Sequence, residues 1–343
     1  MSEITYRKIV VERFGGAEAM RPVEATLGEP PPGHARIRVL AAGVGFTDLM
    51  ARSGDYLLQR KVPFTPGYEL VGEIVDFDSG TPRPPAWLAP GARVAVALTH
   101  MAAYAEYICL PLWQLVPLPD GLDPRLAATV PLDYLTALSV LETHGRVEAG
   151  NAVLIQGASG GVGQALSRLG ALCGLRMYGT ASAPGGEELL AGNGVTFIDY
   201  RRQDFETVLH EREPGGVHAV FDHIGGAGLR KAYRVLAPGG VLVSYAFAGR
   251  PGHMVADTVR GAARVKLMNL RPGRRTALSM VPSEIKKDRG WYRAGLERLL
   301  DMAARGEITP RIGSVHPLMR AAEVHAALER REITGKAVLV TDM

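Results

Sequence analysis

Val153-Leu-Ile-Gln-Gly-Ala-Ser-Gly-Gly-Val-Gly-Gln164 is the stretch whose reading decides this chain. Its apolar start reads as a buried strand, and Gly157, Gly160, Gly161 and Gly163 follow as a turn that opens a helix. Glycines at this spacing let the main chain come close to a bound group. The N–H groups of a helix N-terminus, together with its dipole, favour an anion such as a pyrophosphate. The stretch therefore predicts a bound dinucleotide.

Working outward, the chain downstream alternates between the two periodicities. Strands are predicted at 152–155, 176–180, 196–199, 219–222, 241–246 and 265–270. Helices are predicted at 163–173, 187–191, 205–212 and 228–236. Such alternation is the mark of a doubly wound parallel sheet, and six strands complete both of its mononucleotide-binding halves. Upstream the character differs. Short alternating strands are predicted at 35–42, 68–75, 93–98 and 103–109, joined by Pro/Gly turns. The Pro-rich run at 81–91 reads as a surface loop, and 124–145 reads as helices. After a basic turn at 271–275, a helix is expected around 291–305, a strand at 309–315 and a helix at 321–330. A last strand at 336–341 is expected to close the first domain. No internal repeat is visible.

Composition narrows the function classes. A chain of 343 residues has room for two domains, and 47% hydrophobic with 22% charged residues is ordinary for a globular protein. A net charge of +4 with scattered arginines leaves no nucleic-acid footprint. No apolar run is long enough to span a bilayer. The start, Met1-Ser-Glu-Ile-Thr-Tyr6, has no apolar signal core, so a cytoplasmic location is expected. Two cysteines, Cys109 and Cys173, exclude a disulfide framework and a Cys-rich zinc site. Both are expected as small buried hydrophobes.

Several further segments join the glycine turn in one order and spacing. They are Ala41-Ala-Gly-Val-Gly-Phe-Thr-Asp-Leu-Met-Ala-Arg-Ser-Gly-Asp-Tyr56, Pro66-Gly-Tyr-Glu-Leu-Val-Gly72, Gly91-Ala-Arg-Val94, Leu135-Thr-Ala137, Leu236-Ala-Pro-Gly-Gly240 and Gly335-Lys-Ala-Val-Leu-Val340. Together they resemble the medium-chain dehydrogenase/reductase superfamily, in particular its zinc-free quinone oxidoreductase branch, which includes zeta-crystallin and VAT-1. The resemblance implies an α/β fold with a GroES-like β-rich catalytic domain at 1–125 and 272–343. Around 126–271 it implies a Rossmann domain with a doubly wound parallel six-stranded sheet. It also implies a cleft between the two, and a homodimer paired through the edge of the Rossmann sheet.

Metal-dependent members carry Cys, His and Cys at three positions that read Gly45, Tyr68 and Leu132 here, so no metal is expected. Without a Lewis acid, reduction of a quinone or an α,β-unsaturated carbonyl is favoured over alcohol oxidation. The second strand of the Rossmann half ends Thr180-Ala-Ser182 with no acid to hold a ribose 2′-hydroxyl, and Tyr200 and Arg201 stand after the third. NADPH is the cofactor that this pattern favours. The resemblance assigns cofactor contacts to Phe46, Thr136, Gly157, Ser159, Gly160, Gly161, Val162, Thr180, Ser182, Tyr200, Arg201, Tyr245, Phe247, Arg331 and Lys336. Tyr56, Tyr68 and Asp48 are the catalytic candidates, with Tyr56 the proton donor. His223 reads as structural. A dedicated biosynthetic enoyl or ketone reductase and a non-catalytic NADPH-binding protein of the VAT-1 or crystallin kind are the rival readings. A small-molecule substrate, with neither nucleic acid nor membrane as partner, is expected.

Overall fold

The computed structural model describes residues 3–78, 80, 84–182 and 185–341; of the predicted loop at 81–91, residues 81–83 lie outside the described set. The chain forms two units, one made of 1–132 and 282–343, the other of 133–281.

The first unit begins with an antiparallel hairpin of β1 (Ile4–Val11) and β2 (Met20–Leu27), in register from Ile4 opposite Leu27 to Val11 opposite Met20. Its main sheet is centred on β3 (His34–Val44), an eleven-residue strand buried along much of its length. β4 (Glu69–Phe77) and β6 (Tyr107–Pro111) both pair with β3, β5 (Arg93–Ala97) pairs with β4, and β7 (Val116–Pro117) pairs with β5, all antiparallel. Helix α1 (Phe46–Ser53) leaves the end of β3. The short α2 (Pro124–Ala127) has Pro at its first turn and Asp123 as cap, accepting from the N–H of Arg125 at 2.8 Å. The boundary between the units falls inside α3 (Pro131–Leu138), which continues into a π-helical turn at Ser139–Gly145.

The second unit is a parallel sheet of β8 (Ala152–Ile155), β9 (Arg176–Ala181), β10 (Val195–Asp199), β11 (Val217–Asp222), β12 (Leu236–Ser244) and β13 (Arg275–Leu278). Their order is β10-β9-β8-β11-β12-β13. The direction of winding reverses between β8 and β11, the place where a doubly wound sheet opens a crevice at its carboxyl edge. Helices α4 (Gly161–Leu172), α5 (Gly186–Ala191), α6 (Phe205–Arg212), α7 (Gly228–Arg234) and α8 (Met254–Met268) supply the connections.

The sixth strand corrects the sequence reading. Residues 265–268, read as strand, are the end of α8. Gly261, Val265 and Met268 are buried while Lys266 and Leu267 are exposed, a helical spacing that a short apolar run does not reveal. The strand lies later, at β13, so the second unit extends past the boundary read at 271/272.

The chain then returns through α9 (Val281–Lys287), α10 (Arg289–Ala304), β14 (Ile312–Pro317), α11 (Ala321–Glu329) and β15 (Lys336–Val340). β15 pairs antiparallel with β3 and parallel with β14, which ties the C-terminal segment into the first sheet. The class is α/β, with a GroES-like sheet and a six-stranded Rossmann-like sheet. Cys109 is half-buried in β6. Cys173, expected inside, is exposed, because it caps α4 beyond the helix's packed face. Among the described residues, no helix is long and apolar enough to cross a membrane.

Candidate functional site

In the second unit the glycine turn is built as its sequence demands. Gly157 has a φ of 66°, and a Cβ there would come within 2.1 Å of Cε1 of His223. A Cβ on Gly163 would lie 2.5 Å from the Gly157 carbonyl and 2.6 Å from Cα of Ala158, so α4 can approach β8 only with glycine at this place. Thr180 clamps the turn from β9, its hydroxyl accepting from the N–H of Gly157 at 3.0 Å and its carbonyl from the N–H of Ala158 at 2.9 Å. The N–H of Gly160 is used inside the turn, on the Gly157 carbonyl at 3.1 Å. Gly161 and Val162 open the helix, where N–H groups have no acceptor within the helix. Ser159 and Gly160 are exposed beside them.

Ser182, Tyr200 and Arg201 follow the adjacent ends of β9 and β10, whose register sets Asp199 opposite Ala181. Tyr200 is 54% exposed and Arg201 is exposed. Asp199, which the sequence reading passed over, turns its carboxylate inward on the N–H of Arg201 at 3.0 Å. At the ends of β11 and β12, Asp222 is buried and accepts from Nε2 of Gln156 at 2.9 Å and from the N–H groups of Ile224 and Gly225. Burial outweighs these donors and pushes its carboxyl up to about 6. Tyr245 stacks at a tilt on His223, with ring centroids 5.5 Å apart. Phe247 is buried, and its ring fills the space left by the absent side chains of Gly225 and Gly261. Thr136 is buried in α3.

In the first unit the candidates gather differently. Asp48 lies in the first turn of α1, fully buried. One carboxylate oxygen accepts from the N–H of Gly45 at 2.8 Å and from the Tyr104 hydroxyl at 3.2 Å, the other from the N–H of Gly67 at 3.2 Å. Its carboxyl is pushed up to about 6 by burial. The ring of Tyr56 meets that of Tyr68 edge-on at 6.0 Å. Burial pushes the Tyr56 phenol up to about 12 and raises that of Tyr68 further, with the Asp48 charge adding to both. Both phenols therefore carry their protons at neutral pH. Phe46 starts α1 and is 57% exposed, a large apolar ring facing outward.

Glu69 and Lys336 form an ion pair at 2.5 Å, with side chains 1% and 7% exposed. The other oxygen of Glu69 accepts from the N–H of Leu132 at 2.8 Å. Lys336 is thus engaged within its own unit. Arg331 lies just past α11 with a φ of 59° and is exposed.

Gly45 and Leu132 are neighbours, since a Cβ on Gly45 would touch Cδ2 of Leu132 at 3.7 Å, and Tyr68 immediately precedes Glu69. The three positions thus belong to one region, but glycine and leucine bring no ligating atom, and one phenol with one ion-paired carboxylate is not a zinc donor set. These residues do not fit a catalytic zinc.

The chain matches the alcohol dehydrogenase GroES-like domain over residues 31–120 and the zinc-binding dehydrogenase family model over 194–339. It is 31% identical to the mouse synaptic vesicle membrane protein VAT-1 homolog, over 97% of this chain and 83% of that protein. It is 29% identical to rat quinone oxidoreductase, over 93% and 92% respectively. A mycobacterial protein solved in complex with NADPH superimposes with a TM-score of 0.81 at 26% identity, covering 97% of this chain and 99% of that one. The chain belongs to the zinc-free quinone oxidoreductase and VAT-1-like branch of the medium-chain dehydrogenase/reductase superfamily, an oxidoreductase family.

Proposed function

We propose that the protein is an NADPH-dependent, zinc-independent reductase of quinones or α,β-unsaturated carbonyls. The observation that carries this reading is the pairing of an intact dinucleotide turn at 157–163 with three former metal positions that hold Gly45, Tyr68 and Leu132. When bound, NADPH supplies the hydride, and a conjugated carbonyl or quinone accepts it without a Lewis acid. The N–H groups of Gly161 and Val162 take the pyrophosphate, with Gly157, Ser159 and Gly160 shaping its seat. Ser182 leaves room for the 2′-phosphate, and Arg201 with Tyr200 receives it. Tyr245, Phe247, Thr136, Phe46, Arg331 and Lys336 are assigned to the remaining cofactor surface on the resemblance.

Tyr56 supplies the proton to the developing oxyanion, and Tyr68 steadies it by donating its own hydroxyl proton toward the Tyr56 oxygen. Asp48 orients α1 and the segment at Gly67, since its oxygens are already engaged there. The working form is read as a cytoplasmic homodimer paired through an edge of the six-stranded sheet. NADPH oxidation with a quinone panel and an enone panel tests the reading, alongside a zinc determination on the purified chain. Turnover on either panel with substoichiometric zinc is expected. One zinc per chain would overturn the metal-free mechanism. Tight NADPH binding with no turnover on either panel would favour a dedicated substrate or a non-catalytic protein like the VAT-1 relatives.

A further inference from the structure

His223 follows β11 on the second half of the sheet, past the reversal between β8 and β11. Its Nδ1 lies 3.1 Å from the carbonyl oxygen of Gln156 and 3.1 Å from the Tyr245 hydroxyl. A carbonyl can only accept, so Nδ1 carries the ring proton and donates it there. The tautomer is then fixed, and Nε2 is left as a bare acceptor. Burial lowers the imidazole's affinity for a second proton, so the ring stays neutral. Nε2 is engaged by no described residue.

The position of the ring is equally constrained. The N–H of Ala248 donates to the His223 carbonyl at 2.7 Å, and the N–H of Tyr245 to the Asp222 carbonyl at 3.0 Å. The Gln156 amide holds Asp222 while its own carbonyl holds His223, so the ends of β8 and β11 lock the ring from two sides. The Cε1–Nε2 edge lies against Gly157, with Nε2 2.9 Å from where a Cβ of that residue would be. A fixed acceptor therefore stands at the first glycine of the dinucleotide turn.

We propose that Nε2 of His223 accepts a hydrogen bond from a hydroxyl of the nicotinamide ribose, which makes His223 a determinant of affinity for the nicotinamide half of the cofactor. This rests on the dinucleotide reading of the turn. The phosphates are ionised at neutral pH and have no proton to give a bare acceptor, whereas the ribose hydroxyls do. The half of a doubly wound sheet that follows the switch point serves the nucleotide opposite the adenosine, and β9 with Thr180 and Ser182 lies on the adenosine side.

The test uses the full-length protein with two ligands, NADPH and adenosine 2′,5′-bisphosphate, which carries only the adenosine end. His223→Phe keeps a ring over Gly157 but removes the acceptor. It should weaken NADPH by about three- to tenfold, the range of one neutral hydrogen bond, and change the bisphosphate by less than about twofold. In the unmutated protein, ¹⁵N NMR should find Nε2 unprotonated, and its resonance should move on adding NADPH but not the bisphosphate. Unchanged NADPH affinity in His223→Phe would overturn the inference. So would an Nε2 that is protonated or indifferent to NADPH. A wild-type chain that binds neither ligand would overturn the dinucleotide reading itself, and this inference with it.

Discussion

At the glycine turn of the second unit the groups open to a ligand are main-chain N–H groups of Gly161 and Val162, which have no acceptor within the helix. Around Asp48 in the first unit they are side chains, and most of those already hold a partner. The turn works by lacking side chains at Gly157 and Gly163, and its shape follows from steric exclusion around these two residues. The Asp48 and Glu69 region works by burying charge against charge and donor against acceptor, which makes it rigid but costly to disturb. Damage to the first region should therefore appear mainly as lost ligand binding, and damage to the second mainly as lost stability.

The sharpest way to break that contrast is Lys336→Met. It leaves the Glu69 carboxylate buried at 1% exposure without its cation. Removing one partner of such a pair costs about 3–5 kcal/mol, to be read from urea unfolding. Glu69→Gln in the same chain should recover most of the loss. If Lys336→Met costs less than about 1 kcal/mol, the pair is not the strut described.

Gly163→Val should come next. Its new side chain meets the backbone of Gly157 and Ala158, which cannot rotate away. A stability loss of about 1–3 kcal/mol is expected from the overlap, with NADPH binding reduced at least tenfold as α4 is pushed from its seat. Retained affinity in a fluorescence titration would mean that the close approach of α4 to β8 is not what shapes the turn.

These two sites also differ in how far the sequence alone exposes them. Gly163 is legible because glycine spacing after an apolar strand is a local signal, and strands β8 to β12 follow from periodicity for the same reason. The Lys336–Glu69 pair is not, because it joins residues far apart in the chain whose partnership exists only once β15 lies beside β3. Gly45 with Leu132 stands between these cases, since the resemblance pairs them and the structure makes them neighbours. The hairpin of β1 and β2 is not legible because its charged and apolar residues give no clean alternation, and the end of α8 reads as strand because the short run from Val265 to Met268 does not reveal its helical spacing. His223 reads as structural in the sequence because a lone histidine carries no signal until its neighbours fix its tautomer.

Tyr56→Phe probes the boundary between the two behaviours, since it removes only a hydroxyl. Turnover on the best quinone or enone should fall about tenfold, smaller than the loss of a sole proton source because water can substitute. With the phenol pushed up to about 12, the ratio of wild-type to variant rates should stay constant from pH 6 to pH 9. A ratio that changes across this window would mean that another group with a lower pKa delivers the proton.

The smallest expected effect is a slope. Asp48 titrates in the fold at about 6, above the value of about 3.9 for an unfolded aspartate. Because the fold favours the protonated form, its contribution is fully present below about pH 4 and is lost as pH rises through 6. Asp48→Asn cannot ionise, so the wild-type chain should gain on it by about 1 kcal/mol between pH 7 and pH 5 in urea midpoints converted to free energy. Parallel curves would show that the hydrogen bonds from Gly45, Gly67 and Tyr104 compensate burial completely. The Asp48 region would then be balanced rather than strained, and the contrast with the open turn would rest on the Glu69–Lys336 pair alone.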